Sequence, residues 1–507
     1  MFFIGIRIRH DELVPTLKNH IKILQSLIEI RTRMSRKGTR RRFLTAGAAT
    51  VGVAIAGCTS SDDNGGGNGN GGGTGAGGTE VDPEVEAAGD YEVDEEVEID
   101  FLYSIGGEKG EVVQGMVEDF NQLSDTITVN AVHEGGYGDV WNATLQGIRA
   151  DDPPSIAHLN AVHTLEAWGT GATVPVERVL GDRFDANDFI DAAGDYYVID
   201  GELQGLPFAM STVVAHYNVD AFEEAGLETD PESVPMETFD QYRETAQALM
   251  ESDATPHGAT WPNHTWFYES WFANQGQDFV NNDNGRAAPA TESHLDSDAS
   301  HRLFDWMTTM YENDEYLHAE GWGDARQGFI NEEAAILIDS SSNIAEMSSG
   351  AAEAGFESRV GTVPGYDDWN GLVIGGGSLF VPTGVEGTEL EATAEFLLWM
   401  AEPEQQAHFH SNTGYYPTSH EAVSILEDDG FYEENPGFHR AYLQLDQSEE
   451  STATAGALMM NHGEVRDEVT DGVTRMLQGD PVDEALEQTK ADVDEIIAAA
   501  AEDDPRA

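Results

Sequence analysis

Cysteine occurs only once in this chain, at Cys58, so no disulfide can form within the chain and no zinc site can be built from paired cysteines. Basic residues are also scarce: 25 Lys and Arg stand against 94 Asp and Glu, for a formal net charge of −69. Eleven of the 25 lie between Arg7 and Arg42, which leaves 14 basic and 91 acidic residues from Cys58 onward. Such a surface is a poor partner for nucleic acid, because phosphate binding requires clustered Lys and Arg.

The acidic excess indicates the medium in which the protein works. In dilute buffer this charge would push a compact fold apart. In molar salt the Debye length falls to about 3 Å, so the repulsion is largely screened. The acidic residues are spread along the chain, and hydrophobic residues make up 40% of it, so most of the chain is globular. We therefore expect a folded, halophilic protein.

The N-terminal residues indicate an export signal. Arg40, Arg41 and Arg42 precede a small, apolar run at 43–57, which is shorter than the roughly 20 apolar residues that span a bilayer. Paired arginines at this place are typical of the twin-arginine (Tat) export signal. The run Ile-Ala-Gly-Cys that ends at Cys58 resembles a lipobox, so we expect lipid attachment there and cleavage that removes residues 1–57.

Two further features surround this signal. Met34 begins a complete signal by itself, which predicts that the first 33 residues are an over-extended reading frame. After Cys58, residues 60–79 are dominated by glycine and are followed by an acidic patch, so residues 58–95 are predicted to be a flexible tether. The protein would then be extracellular and held at the outer face of the membrane by its lipid.

From residue 97 onward the hydrophobic pattern alternates between the period of a strand and that of a helix. Strands are predicted at 97–103, 126–133, 155–159, 214–217 and 334–339, and helices at 112–120 and 137–149 and in two stretches, 465–477 and 486–497, that close the chain. Such alternation implies an α/β protein with a parallel sheet that is covered on both faces.

Several local motifs follow one another in an order that belongs to a known family. They are Gly205-Leu206-Pro207-Phe208, the run from His216 to Phe222, the glycine-rich run from Ile374 to Val381, and the run from Ala394 to Thr418. On these motifs, residues 97–497 resemble extracellular solute-binding protein family 1, the sugar-binding type that serves ABC importers. Within that family the chain is most similar to the glycerol-3-phosphate-binding branch.

The resemblance implies a two-lobed, periplasmic-binding-protein-like α/β fold of type II, with an interlobe cleft that closes by hinge motion. Lobe 1 would comprise residues 96–215 and 360–416, and lobe 2 residues 216–359 and 417–503. The protein would capture a sugar, a polyol or a glycerol phosphate and deliver it to ABC permease subunits. No enzymatic activity, cofactor or metal is implied.

A polyol site needs a few aimed hydrogen-bonding groups and flat apolar faces. The positions that match the family's cleft are Tyr137, Ser211, Trp266, Ser341, Gly376 and Tyr415. At Gly376 the backbone N–H is expected to approach the ligand, which glycine permits most easily. Core packing remains an alternative role for the three aromatic residues, and helix capping for the two serines.

The chain departs from the glycerol-phosphate branch at two positions. Ala161 stands where the branch has a glutamate, and Leu458 stands where it has a cleft arginine. Arginine grips phosphate with a bidentate fork, which leucine lacks, so recognition of a phosphate stays open. Arg466 is nearby, but it aligns with a helix residue outside the family's cleft.

Two other classes of function remain open. A secreted carbohydrate-active hydrolase would need two carboxylates at a set separation, and the abundance of acids makes such pairs uninformative. The chain lacks both the Gly-x-Ser-x-Gly nucleophile motif and the His-Glu-x-x-His zinc motif. A surface lipoprotein without a transport role would need none of the two-lobe motifs.

Overall fold

A computed structural model of the chain describes residues 93–190, 194–366 and 369–507. The predicted export signal, the lipid site at Cys58 and nearly all of the tether at 58–95 lie outside the described residues. Across these ranges no helix combines the length and the apolar character that crossing a bilayer requires.

The strands form two main sheets and a short hairpin. In chain order they are β1 (Val97–Tyr103), β2 (Ile127–His133), β3 (Ile156–Asn160), β4 (Thr173–Val174), β5 (Val198–Ile199), β6 (Glu202–Leu203), β7 (Leu206–Ser211), β8 (Val213–Asn218), β9 (His257–Pro262), β10 (Tyr316–Ala319), β11 (Ala334–Ser340), β12 (Ser358–Gly361) and β13 (Gly375–Pro382). Strands β5 and β6 make the hairpin.

Helices lie between and after these strands along the chain. They are α1 (Gly107–Leu123), α2 (Tyr137–Arg149), α3 (Thr164–Gly169), α4 (Val176–Leu180), α5 (Val219–Ala225), α6 (Phe239–Glu251), α7 (Thr265–Asn274), α8 (Asp298–Glu312), α9 (Trp322–Ile330), α10 (Ile344–Ala354), α11 (Gly387–Ala401), α12 (Pro403–Thr413), α13 (His420–Asp428), α14 (Phe431–Glu434), α15 (Pro436–Asp446), α16 (His462–Leu477) and α17 (Val482–Ala500). Asn281–Gly285 forms a short left-handed turn, with positive φ at Asn282, Asp283 and Asn284.

The first sheet has the order β2-β1-β3-β13-β4, and β7 also pairs with β13. Strand β1 runs parallel to β2 and β3, and a helix makes each crossover, as parallel pairing requires. Strand β13 comes from far along the chain and pairs antiparallel with β3, β4 and β7. The carboxyl ends of β1, β2 and β3 therefore share one edge of this sheet.

The second sheet has the order β10-β9-β11-β8-β12. Strand β9 runs parallel to β10 and β11, whereas β8 runs antiparallel to β11 and β12. The chain passes from the first sheet to the second through a single residue, Thr212, between β7 and β8. It returns through residues 362–374, between β12 and β13.

Each sheet has its own large hydrophobic core. Phe101 and Phe396 belong to the core on the first sheet, and Trp261 and Ile338 belong to the core on the second. Helices α13 and α15 contribute to the first core, while α16 and α17 contribute to the second. The lobe boundaries given above, with all of 417–503 in lobe 2, remain a prediction.

Most of the predicted elements occur within one or two residues of their expected ends. The strand at 97–103 and the helix at 137–149 have the predicted bounds, and Val113, Met116, Val117 and Phe120 form the buried face of α1. The expectation of a parallel sheet is wrong for part of each sheet, because β13 and β8 run antiparallel to their neighbours. Both strands lie at crossings between the sheets, so their direction depends on long-range topology.

Candidate functional site

The parallel strands of the first sheet end at one edge, and polar or aromatic side chains follow them there. Lys109 lies in the helix after β1, Tyr137 opens the helix after β2, and His163 lies in the turn after β3. In open α/β sheets, ligands bind outside the carboxyl ends of the strands. This edge is therefore the first half of a candidate site.

The second sheet repeats this arrangement. Trp266 follows β9, Trp322 follows β10, and Ser341 follows β11, and these three strands are parallel. Crowding of indole side chains and a serine at one strand edge provides the flat faces and hydroxyl that a polyol site needs. This edge forms the other half.

Direct contacts join the two halves. The Lys109 Nζ donates a hydrogen bond to Asn343 Oδ1 at 2.6 Å, from the first sheet's edge to the turn after β11. From the second half, the Trp266 Nε1 donates to the carbonyls of Val373 at 3.2 Å and Ile374 at 3.3 Å, just before β13. The residues that converge here are called the cleft cluster: Tyr137, His158, His163, Ser211, His264, Trp266, Trp322, Ser341, Gly375, Gly376, Gly377 and Tyr415.

Tyr137 and His158 lie side by side against β13. Their ring centroids are 5.1 Å apart, and a Cβ on Gly377 would stand 2.7 Å from Tyr137 Cε1 and 2.6 Å from His158 Nε2. Loss of hydration, and next the neighbouring Tyr415 hydroxyl, raise the pKa of Tyr137 well above its ordinary value. Burial lowers the pKa of His158 to about 3, so its ring is neutral. The His158 Nδ1 bonds Ser104 Oγ at 3.1 Å, while its buried Nε2 has no protein partner.

Tyr415 packs in the same region, from the loop after α12. Its ring stacks on Phe409 with centroids 5.4 Å apart, and the Lys109 Nζ lies 5.8 Å from its centroid. Burial, opposed by a hydrogen bond with Ser342 and by the charge of Arg326, raises the pKa of Tyr415 to about 12. Because the ring is 8% exposed, much of it is committed to packing.

The two indoles differ in how their N–H groups are used. The Trp266 N–H is bonded to backbone, and its ring lies against Gly375, where a Cβ would come within 2.4 Å of the indole. Trp322 is partly exposed, 6.2 Å from Trp266 and 5.2 Å from the His264 ring, and its buried Nε1 has no protein partner. Trp322 therefore offers both an aromatic face and a hydrogen-bond donor.

Ser211 and Ser341 lie at the crossing between the sheets. The Ser341 N–H donates to the Thr212 carbonyl at 2.8 Å, and the Thr212 N–H donates to Ser341 Oγ at 3.2 Å. Ser211 is buried, and its Oγ lies 3.0 Å from the place of a Cβ on Gly375. Ser341 thus supports the crossing itself, and Ser211 lines the same narrow space as Trp266.

Gly376 has a structural reason to be glycine. Its φ is +91°, and a Cβ there would lie 1.8 Å from the carbonyl oxygen of Ala209 on β7. The Asn160 Nδ2 donates to the Gly376 carbonyl at 2.8 Å. The close approach is therefore to a neighbouring strand, while contact of its N–H with a ligand remains a prediction.

Two arginines beside the cleft cluster are paired with buried carboxylates. Arg326 lies 5.5 Å from the Trp322 ring and bonds Asp339, and Arg466 bonds Glu269. Arg466 lies against α7 next to Trp266, because the Thr265 hydroxyl donates to the Arg466 carbonyl at 2.6 Å. Burial, and next the Arg466 charge, lower the pKa of His163 to about 4 and of His264 to about 3.

The two departures from the resemblance, Ala161 and Leu458, are both buried and apolar. Ala161 opens the turn after β3, and Leu458 belongs to the first core. A ligand therefore meets no charged group at either of these positions.

Sequence reasoning missed His158, His163, His264 and Trp322. All except His158 follow directly after a parallel strand, so the rule on strand ends would have drawn attention to them. His158 lies inside β3 and is buried beside Tyr137 and Phe208. No local motif marks these positions.

The geometry agrees with comparisons to known proteins. A family model for bacterial extracellular solute-binding proteins matches residues 115–440, more than half of the chain. The chain belongs to this family. It is thus a solute-binding protein, and the two-lobed fold predicted above is confirmed.

Relatives of this solute-binding protein carry more specific names. The sn-glycerol-3-phosphate-binding periplasmic protein UgpB of Rhizobium meliloti is 27% identical over 407 residues, which cover 78% of this chain and 93% of the relative. Its counterpart from Pectobacterium atrosepticum is 28% identical over 393 residues, which cover 75% of this chain and 87% of the relative.

Solved structures show the same fold. UgpB from Mycobacterium tuberculosis, in complex with glycerophosphocholine, matches with a TM-score of 0.66 and 18% identity, covering 80% of this chain and 98% of that one. The sugar-binding protein MalE from Xanthomonas citri matches with the same TM-score, identity and coverage. The relatives are named as periplasmic binding proteins, and MalE as a sugar-binding protein.

Proposed function

We propose that this solute-binding protein captures a small carbohydrate or glycerol-derived solute in the cleft between its two sheets and delivers it to the permease of an ABC importer. The observation that carries the proposal is the convergence, at two facing strand edges, of aromatic rings with buried polar atoms that lack a protein partner. His158 Nε2 and Trp322 Nε1 are two such atoms. Buried polar groups are normally hydrogen-bonded, so unpaired ones at a cleft suit a ligand.

The chemistry of these groups favours a ligand rich in hydroxyls. A neutral imidazole nitrogen accepts a hydrogen bond, and an indole N–H donates one. Trp322 and Tyr137 add ring surface for the C–H faces of a sugar. Hydrogen-bonding groups beside flat apolar rings support a role in binding a polyol.

We further propose that the protein works outside the cell, attached through lipid on Cys58 by a flexible tether at 58–95. The paired arginines before Phe43 and the single cysteine at the end of a lipobox support this anchoring. The acidic excess supports work in concentrated salt. Closure of the cleft would then bend the chain where it passes between the two sheets, at Thr212 and between β12 and β13.

A melting-shift panel in molar salt tests the binding proposal. It contains sn-glycerol-3-phosphate, a glycerophosphodiester, glycerol, maltose, trehalose and glucose. A true ligand at one hundred times its Kd stabilises the protein by about 2.7 kcal/mol. We expect Tyr415→Ala to remove most of this stabilisation, because the ring lies between Lys109 and the turn after β11.

Tyr311→Ala is the matched control, since Tyr311 is 38% exposed on α8, outside the cleft cluster. It should leave the ligand shift unchanged. If no solute in the panel shifts the melting temperature of the wild-type protein, the proposed function is wrong. If the shift survives Tyr415→Ala, Tyr415 is not part of the site.

A further inference from the structure

The charged side chains beside the cleft cluster indicate whether the ligand is itself charged. Arg326 donates from Nε to Asp339 Oδ2 at 2.7 Å and from Nη2 to Oδ1 at 3.4 Å. Asp339 is fully buried and also accepts from the Ser340 N–H at 2.7 Å. The fork of Arg326 is thus engaged by a carboxylate that belongs to the protein.

Arg466 is held in the same way on α16. Its Nε donates to Glu269 Oε1 at 2.9 Å and its Nη2 donates to Oε2 at 2.5 Å. Glu269 is buried, and its Oε1 also bonds His462 Nε2 at 2.9 Å. The pair is therefore a closed, neutral unit that contributes little positive potential to the cleft.

A phosphate would have to compete with these carboxylates. Arginine binds phosphate best through a bidentate fork, and each of these forks already meets a carboxylate. Freeing either arginine would leave a buried carboxylate unpaired, which is strongly unfavourable. A phosphate beside an intact pair would lie close to Asp339 or Glu269, with like charges facing each other at low dielectric.

The remaining polar groups of the cleft cluster are neutral. Burial lowers the pKa of His158 to about 3 and of His163 to about 4, so neither ring is a cation. The buried atoms His158 Nε2, His163 Nδ1 and Trp322 Nε1 have no protein partner. Lys109 donates to the Asn343 amide oxygen and lies over the Tyr415 ring, so it is the cation that an anionic ligand would have to use.

We infer that the cleft selects an uncharged, polyhydroxylated solute over a phosphorylated one. This inference rests on the proposed function and narrows it. It also separates this chain from the curated relatives named above, which are called sn-glycerol-3-phosphate-binding proteins. The structural basis of the inference is the neutralisation of Arg326 and Arg466 within the fold.

Isothermal titration in molar NaCl tests the inference directly. The titrants are maltose, trehalose, glucose and glycerol on one side, and sn-glycerol-3-phosphate and glycerophosphocholine on the other. We expect at least one neutral solute to bind a hundredfold or more tighter than sn-glycerol-3-phosphate. The zwitterionic phosphodiester should bind no better than the phosphomonoester, because the phosphate of each meets the same two neutralised arginines.

The variant Glu269→Gln then tests whether the neutralisation of Arg466 causes this preference. The amide removes the negative charge that neutralises Arg466, so the preference for the neutral solute over sn-glycerol-3-phosphate should shrink by tenfold or more. Glu315→Gln is the matched control, because Glu315 is equally buried and is held by Arg243 through bonds of 2.8 and 3.0 Å, away from the cleft cluster. It should leave the preference unchanged.

The outcomes separate the two proposals. If sn-glycerol-3-phosphate binds as tightly as any neutral solute, and Lys109→Met abolishes that binding, the inference is overturned while the proposed function stands. If no solute binds, the proposed function fails and the inference fails with it. If Glu269→Gln does not fold, the wild-type ratio of affinities still decides the inference.

Discussion

The two edges of the cleft differ in how their polar groups are used. On the first sheet's edge, His158 Nε2 and His163 Nδ1 are buried without a protein partner. On the second sheet's edge, the Trp266 N–H is bonded to backbone, Ser341 Oγ accepts from Thr212, and Arg466 is locked to Glu269. The first edge keeps hydrogen-bonding capacity for a ligand, whereas most of the second is a preassembled frame.

The first edge therefore recognises the ligand, and the second edge holds the geometry of the site fixed. Open hydrogen-bonding groups give specificity only when their positions are fixed, and fixed positions require other groups that are fully paired. The second edge supplies that rigidity, together with the aromatic surface of Trp322. Substitutions on the second edge should therefore act mainly on stability, and those on the first edge mainly on ligand binding.

The largest expected effect comes from Glu269→Ala on the second edge. This change leaves the Arg466 guanidinium without its carboxylate in a buried site, which costs about 3–5 kcal/mol. We expect the free energy of unfolding, measured by urea denaturation in molar salt, to fall by that amount. The depressed pKa of Glu269 makes its contribution present above its ordinary pKa and lost as the pH falls, so the deficit should shrink in acid.

Glu315→Ala provides the comparison for this prediction. Arg243, its partner, is 28% exposed, whereas Arg466 is 15% exposed, so water can replace the lost partner more readily. The stability loss should be clearly smaller than for Glu269→Ala. If both variants lose the same free energy of unfolding, the Glu269–Arg466 pair beside the cleft costs no more to break than the Glu315–Arg243 pair.

Trp322→Ala should have a smaller effect, and on binding rather than on folding. Trp322 is the exception on the second edge, since its Nε1 lacks a protein partner and its ring is partly exposed. Loss of one stacking face and one donor should weaken binding of the neutral solute about tenfold, or about 1.4 kcal/mol. Isothermal titration measures the change.

Trp399→Ala is the control for this second prediction. Trp399 is also partly buried, but it packs on Phe120 and Phe396 in the first core. Its removal should lower the melting temperature without changing the Kd. A larger change in Kd for Trp399→Ala than for Trp322→Ala would contradict the division between the two edges.

Local patterns in the sequence were enough for much of the fold. Period-two and period-3.6 patterns located β1 and α2 with their observed bounds. The reason is that β1 buries alternate residues and α2 buries one face. The sequence could not predict that β13 runs antiparallel, because its partners β3, β4 and β7 are long-range neighbours. No local pattern encodes that pairing.

Only part of the candidate site could be predicted from the sequence. Tyr137, Trp266 and Tyr415 were predicted through the family resemblance, and the structure brings all three to the cleft. Their contact with a ligand stays a prediction, as it does for Ser211, Ser341 and Gly376. The pairing of Arg466 with Glu269 was missed, because the two residues are 197 positions apart and are joined only by the packing of α16 on α7.

The last effect depends on pH, and it compares His158 on the first edge with His216 on β8 of the second sheet. Burial lowers the pKa of His158 to about 3 and that of His216 to about 4, against an ordinary value of about 6.5. The unfolded chain therefore takes up a proton that the folded ring refuses. The stability that each neutral ring contributes is present above about pH 6.5 and is lost as the pH falls.

Each histidine should therefore steepen the loss of stability below about pH 6.5 by up to one proton, or about 1.4 kcal/mol per pH unit. Urea titrations between pH 7.5 and 4.5 should show a shallower slope for His158→Asn and for His216→Asn than for wild type. His133→Asn, at the exposed end of β2, is the control. Saturating neutral solute should stabilise His216→Asn as much as wild type and His158→Asn less, because a ligand hydroxyl can donate to His158 Nε2 and not to His216. An equal ligand effect in both variants would remove His158 from the recognition edge.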